Sequence, residues 1–129
     1  MSENVKSFFI GQTSNPVERD PNGLDSHEAG AKLDAKKPSA ELLGDFGLAL
    51  IEVAKVLTYG KTKYSAHGWT KVIHGYERYT GAMWRHLLKS NYYEIDEDSG
   101  LSHDAQVAWN ALARLEMKLR ARLGGANVD

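Results

Sequence analysis

The sequence predicts an all-α protein, a small bundle of three main helices preceded by an extended N-terminal arm. Along three long segments, apolar residues recur every three or four positions, which is the period of an amphipathic helix. Before residue 38 the chain is instead rich in Asn, Asp, Gly, Pro and charge, and its one apolar cluster, Phe8–Ile10, suits a short strand or an anchor. We therefore divide the chain into a flexible or extended arm, 1–37, and a helical domain, 38–129.

Composition excludes several classes of protein. The 129 residues, 42% of them hydrophobic, are enough for one domain with a small core. Lys and Arg number 16 against 17 Asp and Glu, whereas a duplex-DNA binder is usually strongly basic. We therefore expect no duplex nucleic acid as a partner.

The residue types present also limit metal chemistry and location. The absence of cysteine excludes disulfides and thiolate metal sites, so any metal ion must bind carboxylates, imidazoles or carbonyls. This favours Mg²⁺, with Mn²⁺ as the second choice. The sequence shows neither a membrane-length apolar run nor a signal peptide. We expect no membrane partner and a cytoplasmic location.

The first helix is predicted between the start signal Pro38-Ser39 and the stop signal Tyr59-Gly60. Two early glycines weaken its first turns, so the regular helix is expected to begin near Asp45. The apolar stripe predicted to be core is Leu42, Leu43, Phe46, Leu50, Val53, Val56 and Leu57. Glu52 lies at the edge of this stripe, and the sequence leaves open whether it binds a metal or pairs with Lys55.

A basic and aromatic loop follows the first helix. Lysines, among them Lys63, surround Tyr64 and Trp69. Aromatic rings beside cations suit a flat base and its phosphates. With about equal weight, the two aromatic side chains instead anchor the loop to the core.

The second helix is predicted from Gly75 to Lys89. Arg78 and Arg85 are seven residues apart and so lie on one side of it. They either grip a polyphosphate or are ordinary surface cations, which is the commoner case. His86 lies near the apolar stripe, where a histidine is more often a core residue with its hydrogen bonds satisfied than a ligand.

An acidic loop, 94–98, precedes the third helix, predicted over 101–123. The loop is either solvated, with Ser99 as a helix cap, or a magnesium-collecting loop at the mouth of a site. The third helix has an apolar stripe of Leu101, Ala105, Ala108, Leu112, Leu115 and Leu119. A polar line beside it, formed by His103, Gln106 and Asn110, indicates an inter-helix network or the wall of a site.

These residues together resemble the phage dATP/dGTP diphosphohydrolase family over about residues 32–117. The shared motifs are Lys32…Asp34…Lys37-Pro38, the run 52–60 with Lys63-Tyr64 and Trp69, Arg78-Tyr79, Arg85-His86-Leu87-Leu88, and Asp98-Ser99-Gly100-Leu101…His103…Asn110-Ala111-Leu112. That family is similar to the MazG-type NTP pyrophosphatases. Those are usually oligomeric helical bundles that use Mg²⁺ to cut a nucleoside triphosphate between its α and β phosphates.

The resemblance implies hydrolysis of a (deoxy)purine nucleoside triphosphate to its monophosphate and pyrophosphate in phage nucleotide metabolism. It further implies Mg²⁺ (or Mn²⁺), a homo-oligomer, and the host cytoplasm if the chain is phage-encoded. The implied metal ligands are Glu52, Asp98 and His103, with Glu52 and His103 also acting on the attacking water. The implied substrate-binding residues are Lys37, Lys63, Tyr64, Trp69, Arg78, Arg85, His86 and Asn110.

Two alternatives to an enzyme remain from the sequence. One is a non-catalytic phage protein that binds or sequesters a nucleotide or a nucleotide-derived signal. The other is a helical interaction protein with buried aromatic rings and solvated charges.

Overall fold

The computed structural model describes residues 18–124 and confirms the all-α class. In this range lie the helices α1 (Gly47–Lys63), α2 (Gly75–Ser90) and α3 (His103–Arg122), with 3₁₀ helices at Ala40–Phe46 and Gly68–Lys71. The described part contains no strand, only an isolated antiparallel bridge between Ile95 and Ser102. None of its helices has both the length and the apolarity needed to cross a membrane. The apolar cluster at 8–10 lies outside the described residues.

The chain forms two compact units, with the boundary between Gly44 and Asp45. The described start of the N-terminal unit, from 18 to 39, contains turns but no helix or strand, as expected. It is organised around Asp20, whose carboxylate accepts hydrogen bonds from the backbone N–H groups of Asn22, Leu24 and Lys32 at 2.8, 3.3 and 2.8 Å. The bond from Lys32 is the main reason that the pKa of Asp20 lies below its ordinary value, against the opposing effect of burial.

Helix α1 begins within two residues of the predicted start near Asp45 but extends beyond its predicted end. The chain enters as a 3₁₀ helix over Ala40–Phe46, and α1 begins only at Gly47. Two glycines in these turns lower the helix propensity, which accounts for the late start. At the other end α1 continues through Gly60 to Lys63. Tyr59 and Lys63 both bind Asp98, so contacts from outside the helix stabilise the additional turn.

Most of the α1 stripe that was predicted to be core is exposed. Only Val53 and Val56 are buried in this helix, where α1 packs against α3. The other stripe residues, Leu42, Leu43, Phe46, Leu50 and Leu57, are between 43% and 63% exposed. The prediction was wrong for these five because periodicity shows which residues share a face and not what covers that face.

Helix α3 packs against both α1 and α2, and its polar line faces inward. His103, Gln106 and Asn110 are buried, and each is at most 8% exposed. Leu112 and Leu115, from the predicted apolar stripe, are 46% and 53% exposed. The prediction of a buried leucine stripe is therefore wrong at these positions, whereas the polar line lies inside the protein.

A cluster of three aromatic rings joins the segment 64–74, between α1 and α2, to α2 and α3. Trp69 meets Tyr79 and Trp109 edge to face, with ring centroids 6.3 and 5.2 Å apart. The Tyr79 hydroxyl donates a hydrogen bond to the Trp69 carbonyl oxygen at 2.9 Å. Edge-to-face pairs and a satisfied hydroxyl are typical of a packed core, so this cluster fixes the loop to the helices.

Candidate functional site

Three side chains that can bind a metal converge between the C-terminal part of α2 and the first residue of α3. They are His86, Asp96 and His103, and one ligand atom from each lies within 4.8 Å of the other two. The Nδ1 atoms of the two imidazoles form a hydrogen bond at 2.9 Å, in which one ring donates and the other accepts. His103 is only 3% exposed, and the other two residues are half-buried. We refer to these three residues as the His-Asp cluster.

The loop between α2 and α3 places Asp96 in the cluster. The bridge between Ile95 and Ser102 brings the two ends of the acidic segment together, and the Asp96 N–H donates to the Leu101 carbonyl at 2.8 Å. Gly100 turns the chain back with a φ of 73°, in the left-handed region that glycine adopts without strain. The acidic loop is therefore a tight turn with a defined register.

A hydrogen-bonded chain of side chains then fixes the Asp96 carboxylate. Its Oδ2 accepts from the Ser99 hydroxyl at 2.7 Å and from the Ser99 N–H at 3.1 Å. The Ser99 oxygen accepts in turn from Nε2 of the buried Gln106 at 3.1 Å. The expectation that Ser99 caps the third helix was wrong, because Ser102 is the cap and accepts from the Ala105 N–H at 3.0 Å.

The electrostatics of the His-Asp cluster favour the forms that bind metals. Burial raises the pKa of Asp96, but the hydrogen bonds from Ser99 and the two imidazoles outweigh it, and the pKa lies below its ordinary value. Burial lowers the pKa of His86, more than the Asp96 carboxylate raises it. An ionised carboxylate and an uncharged imidazole are the forms in which these residues coordinate a cation.

The donor set of the cluster is two imidazole nitrogens and one carboxylate oxygen. Mg²⁺ prefers oxygen ligands and dehydrates reluctantly, so it fits this set poorly. Mixed nitrogen and oxygen ligands suit Mn²⁺, Fe²⁺, Co²⁺, Ni²⁺ and Zn²⁺. Three protein ligands also leave coordination positions for water or for substrate oxygens.

Asp98, in the same loop, forms an ion pair with Lys63 outside the cluster. The Lys63 ammonium lies 2.7 Å from the Asp98 carboxylate, and the Tyr59 hydroxyl donates to the Asp98 carbonyl at 3.1 Å. The bond to Asp98 raises the pKa of Lys63 to about 12, and the same bond lowers the pKa of Asp98. The lysine occupies Oδ2 of Asp98 and holds this carboxylate outside the cluster.

Glu52 shows one of the two arrangements that the sequence left open. Its carboxylate binds Lys55, three residues on in the same helix, at 2.6 Å. It is not one of the three cluster residues. Its role as a metal ligand stays a prediction.

The predicted substrate-binding residues near the cluster are His86, Arg85, Lys63 and Tyr64. Arg85 is the exposed neighbour of the cluster ligand His86 on α2. Tyr64 is 72% exposed, and its ring centroid lies 5.5 Å from the Lys63 ammonium. An exposed aromatic ring beside a cation is available to a ligand, and the substrate-binding roles of Tyr64 and Lys63 stay predictions.

Each of the remaining predicted residues has a partner of its own. Trp69 belongs to the aromatic cluster, and an Arg78 guanidinium nitrogen donates to the Ile73 carbonyl at 3.3 Å. Asn110 is buried and donates to the Gln106 carbonyl in its own helix at 2.8 Å. Lys37 belongs to the N-terminal unit, where it pairs with Glu18 at 3.2 Å.

A cavity of ≈ 300 Å³ lies at the opposite end of the α2–α3 pair. Trp69, Tyr76 and Arg120 contribute to its lining. Tyr76 and His86 are ten residues apart in α2, which is about 15 Å along the helix axis. The cavity and the His-Asp cluster therefore lie at opposite ends of the helix pair, and Trp69 lies at the cavity.

Asp96 is the cluster residue that sequence reasoning missed. It is one of four carboxylates in the segment 94–98, and their composition gives no reason to choose among them. The available signal was local, because an Asp followed three residues later by Ser can form a side-chain bond within a turn. Its convergence with His86 and His103 depends on the packing of α2 against α3.

Comparison with known proteins identifies the family. Neither the curated proteins nor the solved structures gave a match. A family model described as dATP/dGTP diphosphohydrolase, N-terminal, matches residues 27–126, which covers α1, α2, α3 and the acidic loop. The chain therefore belongs to the dATP/dGTP diphosphohydrolase N-terminal family.

Proposed function

We propose that this protein hydrolyses a purine (deoxy)nucleoside triphosphate to the monophosphate and pyrophosphate, with a divalent cation at or near the His-Asp cluster. The observation that carries this proposal is the family match, whose range includes all three cluster residues. The family's name gives the substrate class and the type of reaction. The cluster supplies metal-binding groups at the junction of two helices, a place where helical proteins build cofactor sites.

In the step that we propose, a water oxygen attacks the α-phosphorus. The bond between that phosphorus and the oxygen that bridges to the β-phosphorus breaks, and pyrophosphate leaves with the bonding electrons. One proton of the water is released. A bound cation would neutralise the phosphate charge and acidify a water molecule.

The side chains of the chain itself contribute charge and position. Lys63 and Arg85 are cations beside the acidic loop and the cluster, respectively. Fixed cations stabilise charge that develops on phosphate oxygens in the transition state. Tyr64 would stack on the base, and its exposed ring leaves a face free for this contact.

We also propose that a second copy of the chain covers the exposed side of α1. Leu48 and Ile51 are 90% and 60% exposed, and Leu50 and Leu57 are each 43% exposed. Several large apolar side chains on one surface helix mark an interaction surface. Light scattering should give at least a dimer, and Leu48→Glu should give a monomer. The control Lys61→Glu, at an exposed polar position of α1, should leave the oligomer intact.

The direct test incubates the protein with each dNTP, with Mg²⁺ or Mn²⁺, and measures the products by anion-exchange chromatography. We expect monophosphate and pyrophosphate in equal amounts, with dATP and dGTP ahead of the pyrimidine substrates. Diphosphate and orthophosphate as products would contradict cleavage between the α and β phosphates. Nucleotide binding without products would support the sequestering alternative instead.

A further inference from the structure

We propose that His86, Asp96 and His103 form a binding site for a divalent first-row transition-metal ion, through Nδ1 of each imidazole and one carboxylate oxygen. The class of ion is Mn²⁺ to Zn²⁺, with Mg²⁺ disfavoured. The proposal concerns metal binding alone. It therefore stands or fails separately from nucleotide hydrolysis.

The first argument is the spacing of the two nitrogens. Their separation is 2.9 Å. Two nitrogens, each about 2.1 Å from one ion and at a right angle to one another, are about 3.0 Å apart. An ion with adjacent ligands at a right angle can therefore accept both imidazoles nearly as they stand. A tetrahedral ion needs the two nitrogens about 0.5 Å further apart than they are here.

The second argument is the direction in which the carboxylate is held. Within the described residues, Asp96 makes no hydrogen bond to either imidazole, although one of its oxygens lies within 4.8 Å of both ligand nitrogens. The Asp96 carboxylate accepts hydrogen bonds at Oδ2, and both come from Ser99. A carboxylate that served only to pair with a histidine would bond to it directly. The two imidazoles bond to each other through Nδ1, and the Asp96 oxygen approaches both without a hydrogen bond to either. A metal ion that took the place of the shared proton would be bound by all three groups.

The third argument is the support behind the ligands. Ser99 orients Asp96, and Gln106 orients Ser99 from a buried position on α3. His103 is fixed as the first residue of α3, and its N–H donates to the Glu94 carbonyl at 2.8 Å. Metal sites characteristically have such outer hydrogen bonds, which hold the ligands in position before the ion arrives.

The choice of ion follows from the donor atoms. Two imidazoles and one carboxylate bind first-row divalent ions in the order Mn²⁺ < Fe²⁺ < Co²⁺ < Ni²⁺ < Cu²⁺ > Zn²⁺. Mg²⁺ takes oxygen ligands and keeps its waters. We therefore expect Co²⁺ and Zn²⁺ to bind at least about 100-fold more tightly than Mg²⁺.

The experiment uses the full chain, stripped with a chelator, and no nucleotide. Co²⁺ is titrated with detection by visible absorption, and Mn²⁺, Zn²⁺ and Mg²⁺ by calorimetry. We expect one Co²⁺ per chain, and His86→Ala, Asp96→Asn and His103→Ala should each weaken binding at least about 10-fold. The controls His27→Ala and Glu97→Gln, an exposed histidine and an exposed loop carboxylate, should stay within about twofold of the parent.

A second measurement on the unmodified protein covers variants that fail to fold. Substoichiometric Mn²⁺ should broaden the imidazole NMR signals of His86 and His103 before those of His27. Equal broadening of all three, or Co²⁺ binding that survives each ligand substitution, would overturn the site. Mg²⁺ binding as tight as Zn²⁺ binding would overturn the choice of ion.

Discussion

Gln106 donates a hydrogen bond from its side-chain nitrogen to the Ser99 hydroxyl oxygen at 3.1 Å, and Ser99 holds the Asp96 carboxylate. This contact joins the buried polar line of α3 to the acidic loop. The inner face of α3 and the loop therefore act as one unit, which presents a carboxylate to two imidazoles.

We expect Gln106→Leu to weaken Co²⁺ binding about 10-fold, because Ser99 loses one of the bonds that orient it while all three ligands remain. Gln106 is thus a positioning residue. The measurement is the Co²⁺ titration of the two proteins, together with the position of the visible absorption band. An unchanged affinity and band would show that Asp96 does not need this support.

For turnover, we expect His103→Ala to lower the rate of pyrophosphate release at least about 100-fold, since it removes a buried group from the cluster. A coupled pyrophosphate assay measures the rate, and far-UV circular dichroism checks that the helices remain. His27→Ala, a histidine substitution in an exposed turn, should match the parent. A His103→Ala variant with full activity would remove the cluster from the reaction.

The Co²⁺ titration, together with the pyrophosphate assay, distinguishes the role of Glu52 from that of Asp96. Because Glu52 pairs with Lys55 and lies outside the cluster, Glu52→Ala should leave Co²⁺ affinity unchanged, whereas Asp96→Asn should weaken it. If Glu52→Ala loses turnover but keeps its metal affinity, Glu52 acts on the substrate or on the attacking water. Loss of Co²⁺ binding in this variant would restore Glu52 as a ligand and contradict our account.

The aromatic cluster makes a prediction about stability. Tyr79→Phe removes the hydroxyl that binds the Trp69 carbonyl and keeps the ring. We expect a loss of about 0.5–1.5 kcal/mol in the free energy of unfolding. Urea denaturation measures it, with Tyr93→Phe, at a side chain that is 69% exposed, as the control that should change nothing. Equal effects of the two substitutions would mean that the bond contributes nothing.

The Lys63–Asp98 pair makes a prediction about pH. Lys63 lowers the pKa of Asp98, so this carboxyl stabilises the fold above its unfolded-state pKa, and that contribution is lost as the pH falls through the folded-state pKa. Lys63→Met should therefore raise the pKa of Asp98 and flatten this acid-side loss of stability. Carbon-detected NMR titration measures the pKa of Asp98 in both proteins. Asp20 is the internal reference, because its pKa is lowered by backbone N–H groups and not by Lys63. An Asp98 pKa that is the same in both proteins would contradict the pair.

Local periodicity was sufficient to predict that the three helices form. The second helix was predicted over Gly75–Lys89 and is observed over Gly75–Ser90. The same pattern failed for burial, because Leu112 and Leu115 share a face that the described residues leave exposed. What covers a face is decided by packing, which the period of a single segment does not contain.

For the candidate site too, local pattern predicted some features and packing decided the others. The polar line through His103 was predicted to be a network or the wall of a site, because polar residues at helical spacing lie together whatever surrounds them. The sequence could not show whether Asp98 or Asp96 is the metal ligand. Their roles depend on the bridge at Ile95 and on which carboxylate Lys63 reaches. The meeting of His86 with His103 depends on contacts between two helices, which no local pattern predicts.

The most direct test is a crystal structure with Mn²⁺ and a dGTP analogue that cannot be cleaved between its α and β phosphates. Anomalous scattering at the manganese edge would locate the ion independently of the phosphates. Our account predicts a peak bound by Nδ1 of His86, Nδ1 of His103 and the Asp96 carboxylate, with the α-phosphate beside it. A peak at Glu52 with an empty His-Asp cluster, or an α-phosphate at the far end of the α2–α3 pair, would contradict it.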